Sequence, residues 1–168
     1  MARRHWAEVR NSLEQELLCD SLKGRVRYFA TRYRKTHDGI GRVCVLVDET
    51  EIINMPFSIE NERYNETRKR KKYETDKSYN DIHKEVCEDF AKKGLYYPGD
   101  FGVALDEFLS ANIQDALQSS NYIVRMLAIM DRRVGKRTLE RIKPTISDLP
   151  EWLQFFYTLR FDSDSISG

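Results

Sequence analysis

The stretch from Arg25 to Phe57, RVRYFATRYRKTHDGIGRVCVLVDETEIINMPF, decides the fold. Arg25 to Arg34 is dense in aromatic and β-branched residues (Val26, Tyr28, Phe29, Thr31, Tyr33), which suit a pleated strand. Thr36 to Gly41 is a turn, because Asp38-Gly39 supplies the positive φ that a reversal needs. Arg42 to Val47 is apolar after its first residue and reads as a central strand. Asp48-Glu49-Thr50 is a tight connection. Glu51 to Phe57 is a third strand, with Pro56 near its end, where a missing N–H does least harm. Short turns between consecutive strands make a three-stranded antiparallel meander.

Upstream, Trp6, Val9, Leu13 and Leu17 recur at spacings of three and four, so Ala2 to Cys19 is expected to be an amphipathic helix lying on the sheet. Downstream, the period lengthens. Asn61 to Lys93 is polar and helical in composition, with Tyr64, Tyr73, Tyr79, Ile82, Val86 and Phe90 as sparse apolar positions. It predicts a long surface helix, broken near Thr75. Gly94 to Asp100 is a loop, and Phe101 to Leu117 is a further amphipathic helix. Ser120-Asn121 caps a helix from Tyr122 to Met130 that is almost wholly apolar and therefore the most buried. Lys136 to Ile142 is helical until Pro144, and Asp148 with Pro150 opens a last helix through Arg160. The fold class is α+β: an N-terminal helix, a three-stranded antiparallel meander and a helical C-terminal half. The 168 residues suit a single domain, with 1–60 holding the helix and meander, 61–161 the helical part and 162–168 a loose tail.

Charged residues make up 33% of the chain, so the surface is heavily ionic, and no apolar run of membrane-spanning length interrupts it. Cys19, Cys44 and Cys87 are odd in number and widely spaced, which argues against a secreted disulfide framework; a cytoplasmic location follows. The net charge of +1 conceals blocks of opposite sign. Residues 1–43 carry ten Lys/Arg against five Asp/Glu, and residues 44–66 carry one against six. Arg68 to Lys72 is an unbroken run of cations, and residues 120–143 carry seven cations against two acids. An anionic partner responds to such local potential and not to the total.

Three basic stretches are candidate phosphate contacts. The first is Arg25, Arg27, Arg32, Arg34 and Lys35 on the first strand, interleaved with Tyr28 and Tyr33, which could stack on bases. The second is Arg68, Lys69 and Arg70 in the five-cation run; on a helix such a run spreads around the circumference and often does no more than face water. The third is Arg132, Arg133, Lys136 and Arg137 around Gly135. A helix start flanked by guanidinium groups suits a phosphate, but the same arginines could equally complement a helix end or tether to Asp131. His83 and Cys87, four apart on a helix, could share a metal ion but lack further ligands, so no metal or cofactor is expected. The chain has no P-loop, no dinucleotide-binding glycine pattern and no nucleophile elbow.

The opening RRHW with SLKGRVRYFATRYRKTHDGIGRVCVLVD, and the closing MLAIMDRRVGKRTLERI with PEWLQFFYTLRF, resemble a family of small uncharacterised bacterial proteins that share an N-terminal β-meander and a C-terminal DRRVGKR stretch. The resemblance implies a bacterial cytosolic origin and brings no catalytic residues with it. The leading functional expectation is a non-enzymatic nucleic-acid-associated protein. A protein-interaction or self-association module, built on the opposite charge blocks, is the alternative. A small hydrolase or nuclease using His37 and Asp38 ranks third.

Overall fold

The computed structural model describes residues 5–32 and 40–165. Helix α1 (Trp6–Asn11) runs directly into a π-helical segment (Ser12–Leu17), and a 3-10 turn (Asp20–Leu22) leads to the sheet. Strands β1 (Val26–Arg32), β2 (Ile40–Val47) and β3 (Thr50–Pro56) lie in the order β1-β2-β3 and are antiparallel throughout. Helices α2 (Ser58–Lys71), α3 (Tyr79–Lys92), α4 (Pro98–Ser110), α5 (Ile113–Gln118), α6 (Tyr122–Ile129) and α7 (Lys136–Ile142) follow. A 3-10 segment (Lys143–Asp148) and α8 (Glu151–Ser163) complete the chain. The α+β class and the element order are those expected from the sequence. The Thr36–Gly39 part of the expected turn, and residues 166–168 of the expected tail, lie outside the described residues.

Side-chain alternation chooses the inner face of the sheet. Val26 and Tyr28, Val43, Val45 and Val47, and Ile53 and Met55 are buried, whereas Arg27 and Phe29 face outward. Tyr28 meets Phe101 of α4 at 6.2 Å, and Trp6 of α1 meets the same ring edge-on at 6.3 Å. Tyr28 is thus a core residue and is not free to stack on a base. One hydrophobic cluster joins these residues to α4, α6 and α8, and α6 is buried on nearly every side, as its composition predicts.

Two helices depart from the sequence expectation. The N-terminal helix does not reach Cys19, because the chain at Leu17–Cys19 pairs with another segment: Arg132 N–H donates to the Leu17 carbonyl at 2.7 Å, and Cys19 N–H to the Met130 carbonyl at 2.9 Å. The helix expected over 101–117 is two helices. Ala111 is extended, and Asn112 caps α5 by accepting from the Asp115 N–H at 3.0 Å. Pro98 at the first turn of α4 starts that helix three residues early, and Asp100 reaches back to the Tyr97 N–H at 3.1 Å. The break expected near Thr75 is present, since α2 and α3 form an antiparallel hairpin across it.

The two residues of the β2–β3 turn both have left-handed backbone, with φ of 47° at Asp48 and 64° at Glu49, the pattern of a type I′ turn. Asp tolerates this region better than Glu does. Replacing Glu49 by Asn, which also tolerates it, is expected to stabilise the fold by roughly 0.5–1 kcal/mol. The Arg27–Glu49 ion pair that is lost is exposed on both sides and offsets little of this gain. A higher denaturant midpoint at unchanged slope is the check.

Candidate functional site

The α2–α3 hairpin is built around a polar seam. Ile59, Arg63 and Thr67, one helical turn apart, form the inward stripe of α2, and Ile82 and Val86 form that of α3. These apolar residues are buried but lie outside the main hydrophobic cluster. Arg63, only 6% exposed, fastens the base of the hairpin. Its Nη2 donates to the Leu95 carbonyl at 2.9 Å and lies 2.8 Å from Asp100, and its guanidinium sits over Phe90 and Tyr97. Gly94 makes the exit from α3 with a φ of +72°, and a Cβ there would press on Trp152 at 3.1 Å. Trp152 in turn donates its indole N–H to the Ala91 carbonyl at 3.0 Å.

Geometry divides the five-cation run. Arg70 turns inward to Glu66 at 3.2 Å and Asp89 at 2.8 Å, and the hydrogen bond to Asp89 is the main cause that raises its pKa. Lys71 closes the inter-helix turn by donating to the Thr75 and Lys77 carbonyls. Arg68, Lys69 and Lys72 face solvent. Among the described residues Arg68 and Lys72 make no ion pair, and Lys69 approaches Glu66 only to 4.0 Å. Tyr73 follows at once and is 82% exposed. Tyr64 and Tyr79, expected on the buried stripe, are also exposed and stack on His83 at 5.0 and 6.3 Å.

The other two basic stretches are occupied differently. Arg25 makes a two-pronged bond with Asp48 (3.0 and 2.8 Å), Arg27 pairs with Glu49 at 3.0 Å, and Arg42 grips Glu51 with two nitrogens. The hydrogen bond from Arg25 holds the Asp48 carboxyl below the usual range. The basic first strand and the acidic segment after it therefore satisfy each other within one chain. Arg32 belongs to β1, whereas Arg34, Lys35 and Tyr33, together with His37 and Asp38, lie outside the described residues.

At the end of α6, Asp131 is 1% exposed. It accepts from the Arg133 N–H at 2.7 Å, from Nε at 3.0 Å and from Nη2 at 2.8 Å, while the Arg133 guanidinium covers the Phe108 ring. Arg132 reaches the Glu16 carbonyl at 3.4 Å. Gly135 is the extended N-cap of α7, and Lys136 and Arg137 behind it are exposed, with no ion pair among the described residues. The chief packing partner of α2 is α3, that of α7 is the 3-10 segment after it, and that of β1 is β2, so the three basic stretches lie on different elements. His83 and Cys87 do face each other, at 3.6 Å, but no three side chains able to hold a metal gather among the described residues. No helix among them is long and apolar enough to cross a membrane.

Sequence reasoning missed Tyr73 as an exposed group and Arg63 and Thr67 as buried ones. Tyr73 carries a weak signal, since it follows five cations directly. Arg63 and Thr67 carry none that hydrophobic periodicity can detect.

The model of the SF0329 protein family matches residues 5–161, and the chain belongs to that family. Neither a curated protein nor a solved structure matches it.

The basic stretch at 131–137 separates into fastened and free cations by mutation. Arg133→Ala leaves the Asp131 carboxylate buried without its main partner and is expected to cost about 3 kcal/mol. Arg132→Ala, Lys136→Ala and Arg137→Ala are expected to stay within about 0.5 kcal/mol of the parent. Chemical denaturation of the four variants measures the contrast.

Proposed function

We propose that this member of the SF0329 family is a non-enzymatic nucleic-acid-associated protein that contacts single-stranded nucleic acid through the tip of the α2–α3 hairpin. The observation that carries the reading is Tyr73, 82% exposed and following directly on the outward-facing Arg68, Lys69 and Lys72 in the chain. Lys72 and Tyr73 continue directly from the C-terminal end of α2, so three cations and one aromatic ring stand within six consecutive residues at the tip. A flat ring beside cations is the arrangement that holds unpaired bases by stacking while the cations follow the phosphates. An unpaired strand fits better than a duplex, because only an unstacked base offers its face to a side chain. Lys136 and Arg137 at the start of α7 supply further exposed positive charge on another helix. Arg25, Arg27, Arg70 and Arg133, which are engaged with carboxylates, play no part in the proposed contact. The same reading takes the protein as bacterial and cytoplasmic, which the resemblance of its DRRVGKR stretch supports.

Fluorescence anisotropy with a mixed-sequence single-stranded oligonucleotide tests it. Three phosphate contacts at about −0.7 each give a slope near −2 in log affinity against log salt, and the triple variant Arg68→Ala, Lys69→Ala, Lys72→Ala flattens it. Tyr73→Ala weakens binding by about 1–3 kcal/mol at every salt concentration. Binding that is absent at low salt, or that none of these four changes alters, overturns the reading.

A further inference from the structure

The hairpin seam also arranges a thiol. Thr67 is fully buried, and its hydroxyl donates its one proton to the Arg63 carbonyl at 2.7 Å. The same oxygen lies 2.9 Å from His83 Nδ1. With that proton committed, Thr67 Oγ1 is the acceptor and His83 Nδ1 carries the hydrogen. In the neutral ring Nε2 is then left as a lone pair, and it faces Cys87 Sγ at 3.6 Å. Stacking of the imidazole on Tyr64 and Tyr79 fixes its plane. A thiol, a base and an orienting hydroxyl therefore stand in sequence, the order that activates a sulfur nucleophile.

A second observation lies in the space beside them. Cys87 lines a cleft of about 420 Å³ between α3, α4 and the start of α6. Arg63 lines the same cleft, and among the described residues its buried Nε–H has no acceptor. The charged residues of the lining are Glu88, Asp100 and Glu107 against Arg63 and Lys84, so the cleft disfavours an anionic reagent. Of the three cysteines in the chain, Cys19 and Cys44 are buried, and only Cys87 has solvent access.

We propose that Cys87 is a site of oxidation by neutral hydroperoxides, with His83 as its base. His83 Nε2 takes the thiol proton, and the sulfur attacks the terminal oxygen of the hydroperoxide. An S–O bond forms as the O–O bond breaks. The sulfur is oxidised by two electrons to a sulfenic acid, the peroxide is reduced to an alcohol or water, and the leaving oxygen receives the proton from His83. Burial pushes the Cys87 thiol above its ordinary pKa, with Arg63 opposing this and Asp100 and Glu88 adding to it, so the resting group is the thiol and the base is needed. Cys19 and Cys44 are enclosed elsewhere in the fold, so an external thiol must reduce the product.

The test treats the full chain with hydrogen peroxide, traps sulfenic acid with a neutral dione and follows adducts by intact mass. One adduct is expected, on Cys87, and none in Cys87→Ser. His83→Gln slows the reaction about 100-fold at neutral pH. Its rate converges with the parent's at alkaline pH, where the thiol ionises unaided; a purely structural role for His83 gives no such convergence. Thr67→Val, close to isosteric, slows the neutral reaction as well by releasing the imidazole tautomer, and it serves as the test should the His83 variant melt early. Equal neutral rates for the parent and Thr67→Val, or first oxidation at Cys19 or Cys44, overturn the proposal.

Discussion

The buried carboxylate of Asp131 is the point from which the three parts of the chain are aligned. A carboxylate removed from water requires donors, and Arg133 supplies three of them within two residues. The tight turn that results presents its backbone to both neighbours. Residues 17–19, leaving the N-terminal helix, pair with 130–132, and buried Arg160 of α8 donates to the Val134 carbonyl at 2.8 Å. Arg160 also meets Asp164 at 3.1 Å, whose carboxylate accepts from Ser21 at 2.6 Å. The segment before the sheet, the most buried helix and the last helix thus converge on one turn, and the sheet inherits its position from them.

How much of this was legible follows from what each element buries. The meander and α6 could be read because their burial is apolar: Val43, Val45 and Val47 alternate, and Ile123 to Ile129 is enclosed on nearly every side. The inner face of α2 could not be read, because its stripe is Ile59, Arg63 and Thr67, and two of those three are polar. The apolar positions read from the sequence are Tyr64, Tyr73, Tyr79, Ile82, Val86 and Phe90; the fold buries Ile82 and Val86 and leaves the three tyrosines exposed. The split of 101–117 was hidden for another reason. Its apolar spacing continues across the break, and only the capping side chain of Asn112 marks it.

The charge blocks teach the same lesson in space. A neutral sum made of separated blocks suggests a protein with contrasting faces. The hairpin topology folds the blocks onto each other, so that Arg25, Arg27 and Arg42 each meet an acid from the β2–β3 connection or from β3. Among the described residues of the basic stretches, the exposed cations without a close acid include Arg68 and Lys72 at the hairpin tip and Lys136 and Arg137 at the head of α7. Separation along the chain says little about separation in the fold when a tight turn lies between.

The polar seam of the α2–α3 hairpin has a consequence for how the molecule breathes. Local opening releases little apolar area beyond Ile59, Ile82 and Val86, so it carries a small heat-capacity change and hardly registers in a thermal scan. Its free energy is set instead by the contacts of Arg63 with Asp100, Leu95 and the two flanking rings. The amides of α2 and α3 are accordingly expected to exchange with solvent as one cooperative block, distinct from the α6 core, with a protection that depends on the Arg63 guanidinium.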